Sequence, residues 1–64
     1  MNRRKLEKHL REHGCERVYH GGDHDVWMNS VTLARSPVPR HAEINTWTAR
    51  AICRQLGVPL PAGR

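Results

Sequence analysis

Phenylalanine is absent from this 64-residue chain, and only Tyr19, Trp27 and Trp47 carry aromatic rings. A sheet that stacks successive bases, as in RRM or OB-type RNA binders, needs more aromatics than that. Cysteine is as scarce. Cys15 and Cys53 cannot build a multi-bridge framework, and no C-x-x-C pair is present to seed a zinc site. Long apolar runs are missing too. The N-terminus, MNRRKLEK, is charged where a secretory peptide would be apolar, so reduced thiols, a cytoplasmic location and no membrane span are expected. There is no G-x-S-x-G, no P-loop and no cofactor fingerprint, and therefore no cofactor is implied. Glu7, Glu12 and Glu16 read as surface positions, leaving no paired carboxylates for glycosidase chemistry. Acidic residues are the minority: six Asp and Glu stand against eleven Lys and Arg, a formal net charge of +5. On so small a surface that field suits nucleic acid or an acidic protein. A chain of this length buries only about 60% of its unfolded surface, so a partner is the natural source of added stability.

What is present reads as five elements. Residues 2–13 form an amphipathic helix with Leu6 and Leu10 one turn apart, Asn2 as N-cap and Gly14 as the C-cap candidate. Arg3, Arg4, Lys5, Lys8 and Arg11 give it a cationic surface. Strands at 15–20 and 24–29 flank the hairpin signal Gly21-Gly22. In the second strand His24, Val26 and Met28 share one face, and Asp25, Trp27 and Asn29 the other. Residues 30–32 connect to LARSPVPRH. Pro37 and Pro39 remove donors along one edge, while Ser36, Val38 and Arg40 can pair on the other side, which predicts an edge strand. NTWTARAICRQLG is a helix capped by Asn45 and Gly57, with Ala49, Ile52, Cys53 and Leu56 on its apolar stripe. Pro59 and Pro61 stop it, so 57–64 is a short tail to a single domain spanning 1–64. The order predicts an α+β fold, α-β-β-β-α, with two helices on one face of a three-stranded antiparallel sheet.

Histidine, by contrast, is abundant, with five in the chain. His20 and His24 have a spacing known from zinc sites, but they flank a Gly-Gly turn, and Cys53 lies on an apolar helix stripe, so no metal site is expected. RNA can be cut without a metal, because its own 2′-OH attacks the neighbouring phosphate. That reaction needs a base, an acid and positive charge near phosphorus. Histidine titrates near neutral pH and serves in either proton role. His24, at the start of a strand with Arg and Lys nearby, has the required chemistry; the alternative is a solvated turn histidine. His9, His13 and His20 read as solvated surface residues.

Gly22-Asp23-His24 opening a strand, "VPRHAEI" at 38–44 and "TARAICRQLGVP" at 48–59 together resemble the HicA family of toxins. These are small mRNA interferases of bacterial toxin–antitoxin pairs, and the resemblance spans nearly the whole chain. It implies the α-β-β-β-α fold, similar to a double-stranded RNA-binding domain, and a metal-independent endoribonuclease. The family's G-S-H motif puts the catalytic histidine on His24, with Gly22 as turn glycine. Gly22, Arg40, His41, Arg3, Arg4 and Lys5 are the expected RNA-binding residues. The expected partners are mRNA and an acidic HicB-type antitoxin that screens His24. The chain departs from the family pattern in three places. Asp23 replaces the serine, Asp25 replaces a frequent second histidine, and Trp47 stands where glycine is common. The two acids are expected either to raise the imidazole pKa or to orient one tautomer, and also to repel phosphate. A non-catalytic module gripping double-stranded RNA by shape is the alternative function.

Overall fold

The computed structural model describes residues 1–61; the end of the expected tail, 62–64, lies outside them. The chain runs α1 (Arg3–Glu12), β1 (Cys15–His20), β2 (His24–Asn29), β3 (Arg35–Pro39) and α2 (Thr46–Leu56). The strands form one antiparallel sheet in the order β1-β2-β3. The architecture is the predicted α+β one, and both helices are set by their ends. Asn2 is extended, and its side chain accepts the Arg4 N–H at 2.8 Å. Asn45 does the same for Trp47 at 2.8 Å. Each satisfies a donor that has no partner within the helix. The end of α2 matches the expected glycine cap, whereas the C-cap of α1 is His13 and the expected Gly14 follows it. Gly14 turns the chain at φ +83°, and Gly57, at φ +71°, donates to the Arg54 carbonyl while Val58 donates to that of Cys53. That double bond pattern is a Schellman ending.

The core lies between the helices and one sheet face. Leu6 and Leu10 come from α1, and Ala49, Ile52, Cys53 and Leu56 from α2, every one of them buried. Cys15, Trp27 and Val38 meet them from the sheet, with Ile44 from the loop before α2. With no Phe in the chain, Trp27 is the largest fully buried side chain. The Arg11 guanidinium lies 5.1 Å from its ring centroid.

Alternation along β2 turns Asp25, Trp27 and Asn29 inward and leaves His24, Val26 and Met28 on the open side. The inward face of β2 therefore carries two polar side chains: Asn29 is hydrogen-bonded, whereas Asp25 meets basic side chains without an aligned hydrogen bond at Oδ1. Asn29 donates to the Leu56 carbonyl at 2.8 Å and accepts the Val31 and Thr32 N–H groups, tying the end of α2 to the β2–β3 connection. That connection runs 30–34, two residues longer than expected, and Leu33 takes a left-handed φ of 66°. β1 contains a bulge: Arg17 faces Trp27 and Tyr19 faces Val26, so Val18 is the extra residue. β3 pairs with β2 alone and is an edge, as its prolines predict. Ser36 and Val38 stand opposite Trp27 and Asp25 and are buried, whereas Pro37 and Pro39 stand opposite Val26 and His24. Among the described residues no helix is long and apolar enough to cross a membrane.

Candidate active site

The topology gathers five chain segments at one end of the sheet: the end of β1, the start of β2, the end of β3 and the N-termini of both helices. Their contacts are direct. Gly21 N–H donates to the His24 carbonyl at 3.1 Å, and Arg3 N–H to that of Ala42 at 2.9 Å. Asn2 bridges Glu43, and the Met1 ammonium donates to the Ile44 carbonyl at 2.7 Å. Neither helix carries an acidic residue in its first turn. The positive ends of both helix dipoles are therefore unopposed within their own helices, on the side where Arg3, Arg4, Lys5, Arg40 and His41 collect.

His24 is exposed, at the first position of β2 and opposite Pro39. Its backbone is held by the sheet on one side and by Gly21 on the other, so the imidazole is carried on a fixed stem in open solvent. Asp25 does not orient it. Strand alternation sends Asp25 to the opposite face, where it is 2% exposed. Its Oδ1 lies 2.9 Å from His20 Nδ1 and 3.8 Å from Arg40 Nε, and its Oδ2 lies 3.7 Å from Arg17 Nη1. The His20 contact is close but not aligned as a hydrogen bond. His20, expected as a solvated residue, is therefore a partner of a buried carboxylate.

The turn glycines differ. Neither has a positive φ, so the Gly21-Gly22 pair is not a primed two-residue turn. A Cβ on Gly22 would meet nothing within 4 Å, while one on Gly21 would fall 2.5 Å from the His24 carbonyl oxygen. Gly21, not Gly22, is the sterically required glycine.

The expected RNA-binding residues divide into two groups. Arg4, Lys5 and His41 are exposed, and Arg4 helps line a cleft of about 310 Å³ with Asn2, Arg3 and Ala42. Arg3 and Arg40 are engaged internally. The Arg3 guanidinium donates to the Arg40 carbonyl and lies 3.7 Å from Glu7, which is half-buried rather than on the surface. Arg40 Nη1 donates to the Gly21 carbonyl at 2.6 Å.

The other histidines and the thiols lie outside the site. His9 Nε2 is 2.7 Å from the Pro59 carbonyl oxygen, and its ring packs 4.4 Å from that of His13. His9, half-buried and not a freely solvated residue, ties the segment after α2 to α1, whereas His13 is exposed as expected. Both cysteines are free and buried. Burial pushes their thiols up, and at Cys53 the neighbouring Cys15 adds to the effect, so neither is a ready nucleophile.

The Asp25 cluster and Gly21 are what a reading of the sequence misses. One signal for the cluster was available: the alternation that buries Trp27 must also bury Asp25, and a buried carboxylate requires cations. The requirement at Gly21 carries no such signal, because it arises from the His24 carbonyl across the turn.

No curated protein and no solved structure matches the chain. The family model for the HicA toxin of bacterial toxin–antitoxin systems, however, matches residues 3–58, from the first residue of α1 to just beyond α2, and the chain belongs to the HicA toxin family.

Proposed function

We propose that this toxin is a metal-independent endoribonuclease that cuts mRNA in the cytoplasm, with His24 as its single catalytic histidine. The observation that carries this reading is the placement of an exposed imidazole, held by a strand, at the end where both helix N-termini and the basic side chains converge. His24 accepts the proton of a ribose 2′-OH as the 2′-oxygen attacks the adjacent phosphorus. The bond from phosphorus to the 5′-oxygen breaks, and the imidazolium returns its proton to that oxygen. The products are a 2′,3′-cyclic phosphate and a free 5′-OH. Charge gathering on the phosphoryl oxygens is met by Arg4, Lys5, His41 and the helix ends, groups placed before the reaction begins. The open space at Gly22 lets the RNA backbone pass the turn. An acidic HicB-type antitoxin inhibits the toxin by covering this end and screening His24.

Incubation of the protein with end-labelled RNA in EDTA tests the proposal. Cleavage is expected to persist in the parent and to fall by about 10²- to 10⁴-fold in His24→Ala, the usual loss for an acid–base group. Retained binding and an unchanged circular dichroism spectrum are expected for that variant, since His24 is exposed. RNA that is bound but never shortened by the parent identifies the non-catalytic module instead.

A further inference from the structure

Arg40 touches every residue of the turn that leads into His24. Its Nη1 donates to the Gly21 carbonyl at 2.6 Å and to that of Gly22 at 3.4 Å. Its backbone N–H donates to the Asp23 carbonyl at 3.4 Å. On the other side of the guanidinium, Nε lies 3.8 Å from Oδ1 of the buried Asp25. Its own carbonyl accepts from Arg3 at the start of α1. The turn needs such a hold. Two adjacent glycines give it wide conformational freedom, and among the described residues the backbone hydrogen bonds of 21–23 are Gly21 to His24 and Arg40 to Asp23 alone. A carboxylate in a core-facing position is costly unless partnered, and Asp25 draws cations from β1 as well as from the end of β3.

We propose that Arg40 is a positioning residue and not a phosphate contact: oriented by Asp25, it clamps the 21–23 turn to the end of β3 and so fixes the approach to His24. The proposal deepens the ribonuclease reading and rests on it for its catalytic consequence. Arg17 and His20 share the carboxylate, so the cluster keeps Asp25 compensated while Arg40 links it to the 21–23 turn.

Three measurements on the full chain test the clamp. The first is single-turnover cleavage of a labelled RNA oligonucleotide in EDTA. Arg40→Ala is expected to slow it by about 10²-fold, the scale set by misplacing a reacting group. Arg40→Lys is expected to be nearly as slow, because an ammonium cannot reach two turn carbonyls and Asp25 together. Recovery of the parental rate in Arg40→Lys would show that charge alone matters and would overturn the proposal. The second is the salt dependence of binding to a non-cleavable 2′-O-methyl oligonucleotide. Arg40→Ala is expected to keep the parental slope, whereas loss of a true phosphate contact flattens it by about one unit. Lys5→Ala serves as the contact control, and a flattened slope in Arg40→Ala counts against the clamp. The third is amide hydrogen exchange, which needs no activity and keeps the clamp testable if the parent fails to cut RNA. Exchange at Gly21 and at the Arg40 amide is expected to accelerate in Arg40→Ala and in Asp25→Asn. Unchanged exchange at both amides in Arg40→Ala sinks the idea whatever the cleavage assay reads.

Discussion

A Cβ at Gly21 would stand 2.5 Å from the His24 carbonyl oxygen and 2.8 Å from Tyr19 Cε2, while the same atom at Gly22 would meet open space. Two adjacent and chemically identical residues thus carry opposite tolerances. Gly21→Ala is expected to destabilise the fold by about 1–3 kcal/mol, as overpacking against backbone usually does. Gly22→Ala is expected to stay within about 0.5 kcal/mol of the parent. Urea unfolding midpoints of the two variants decide the matter, and an equal response would mean that the turn relaxes freely. The same scale separates Asp25 from Asp23, both acids next to His24 in sequence. Asp23 is exposed at the turn, whereas Asp25 is buried with three basic partners and lies across the sheet from His24. Adjacency along a strand is the wrong measure of proximity, because successive side chains point to opposite faces.

At the scale of elements, local rules account for most of what forms. Both Asn caps, the glycine cap of α2, the two Leu of α1 and the four-residue stripe of α2 are where propensity and periodicity place them. The proline spacing in β3 likewise reads directly as an edge, since proline lacks a donor wherever it sits. The β2–β3 connection is the exception. Leu33 holds a left-handed conformation that costs an L-residue about 1–2 kcal/mol, and it is 64% exposed, so packing offsets little of that cost. Leu33→Asn is expected to raise stability by up to about 1 kcal/mol, because asparagine tolerates this region. A thermal melt that shows no gain, or a loss, would mean that Leu33 makes a compensating contact. The two extra residues of this connection and the bulge at Val18 had no sequence signal, since each adjusts one strand to its neighbour rather than following from its own residues.

At the scale of the molecule, the helices and strands run so that both helix N-termini, the His24 turn and the end of β3 share one end. Arg4, Lys5 and His41 are exposed there, and this is where an acidic antitoxin would gain most from charge complementarity. Binding of the antitoxin is expected to raise the toxin's melting temperature, because a ligand of the native state stabilises it by mass action. It is also expected to protect His24 from diethyl pyrocarbonate. A stabilised complex in which His24 stays as reactive as in the free toxin would rule out direct screening. The sequence by itself determined the five elements, the Asn caps of both helices, the edge strand, the cationic surplus and the strand-borne histidine. Each of these follows from residue type and from spacing along the chain. Only the tertiary structure decided that Asp25 serves His20, Arg17 and Arg40 instead of His24, that Arg40 holds the turn, and that Gly21 is the indispensable glycine. Those facts depend on which atoms meet across strands, and a bulge, a turn of a given length and the packing of a sheet against two helices set that register.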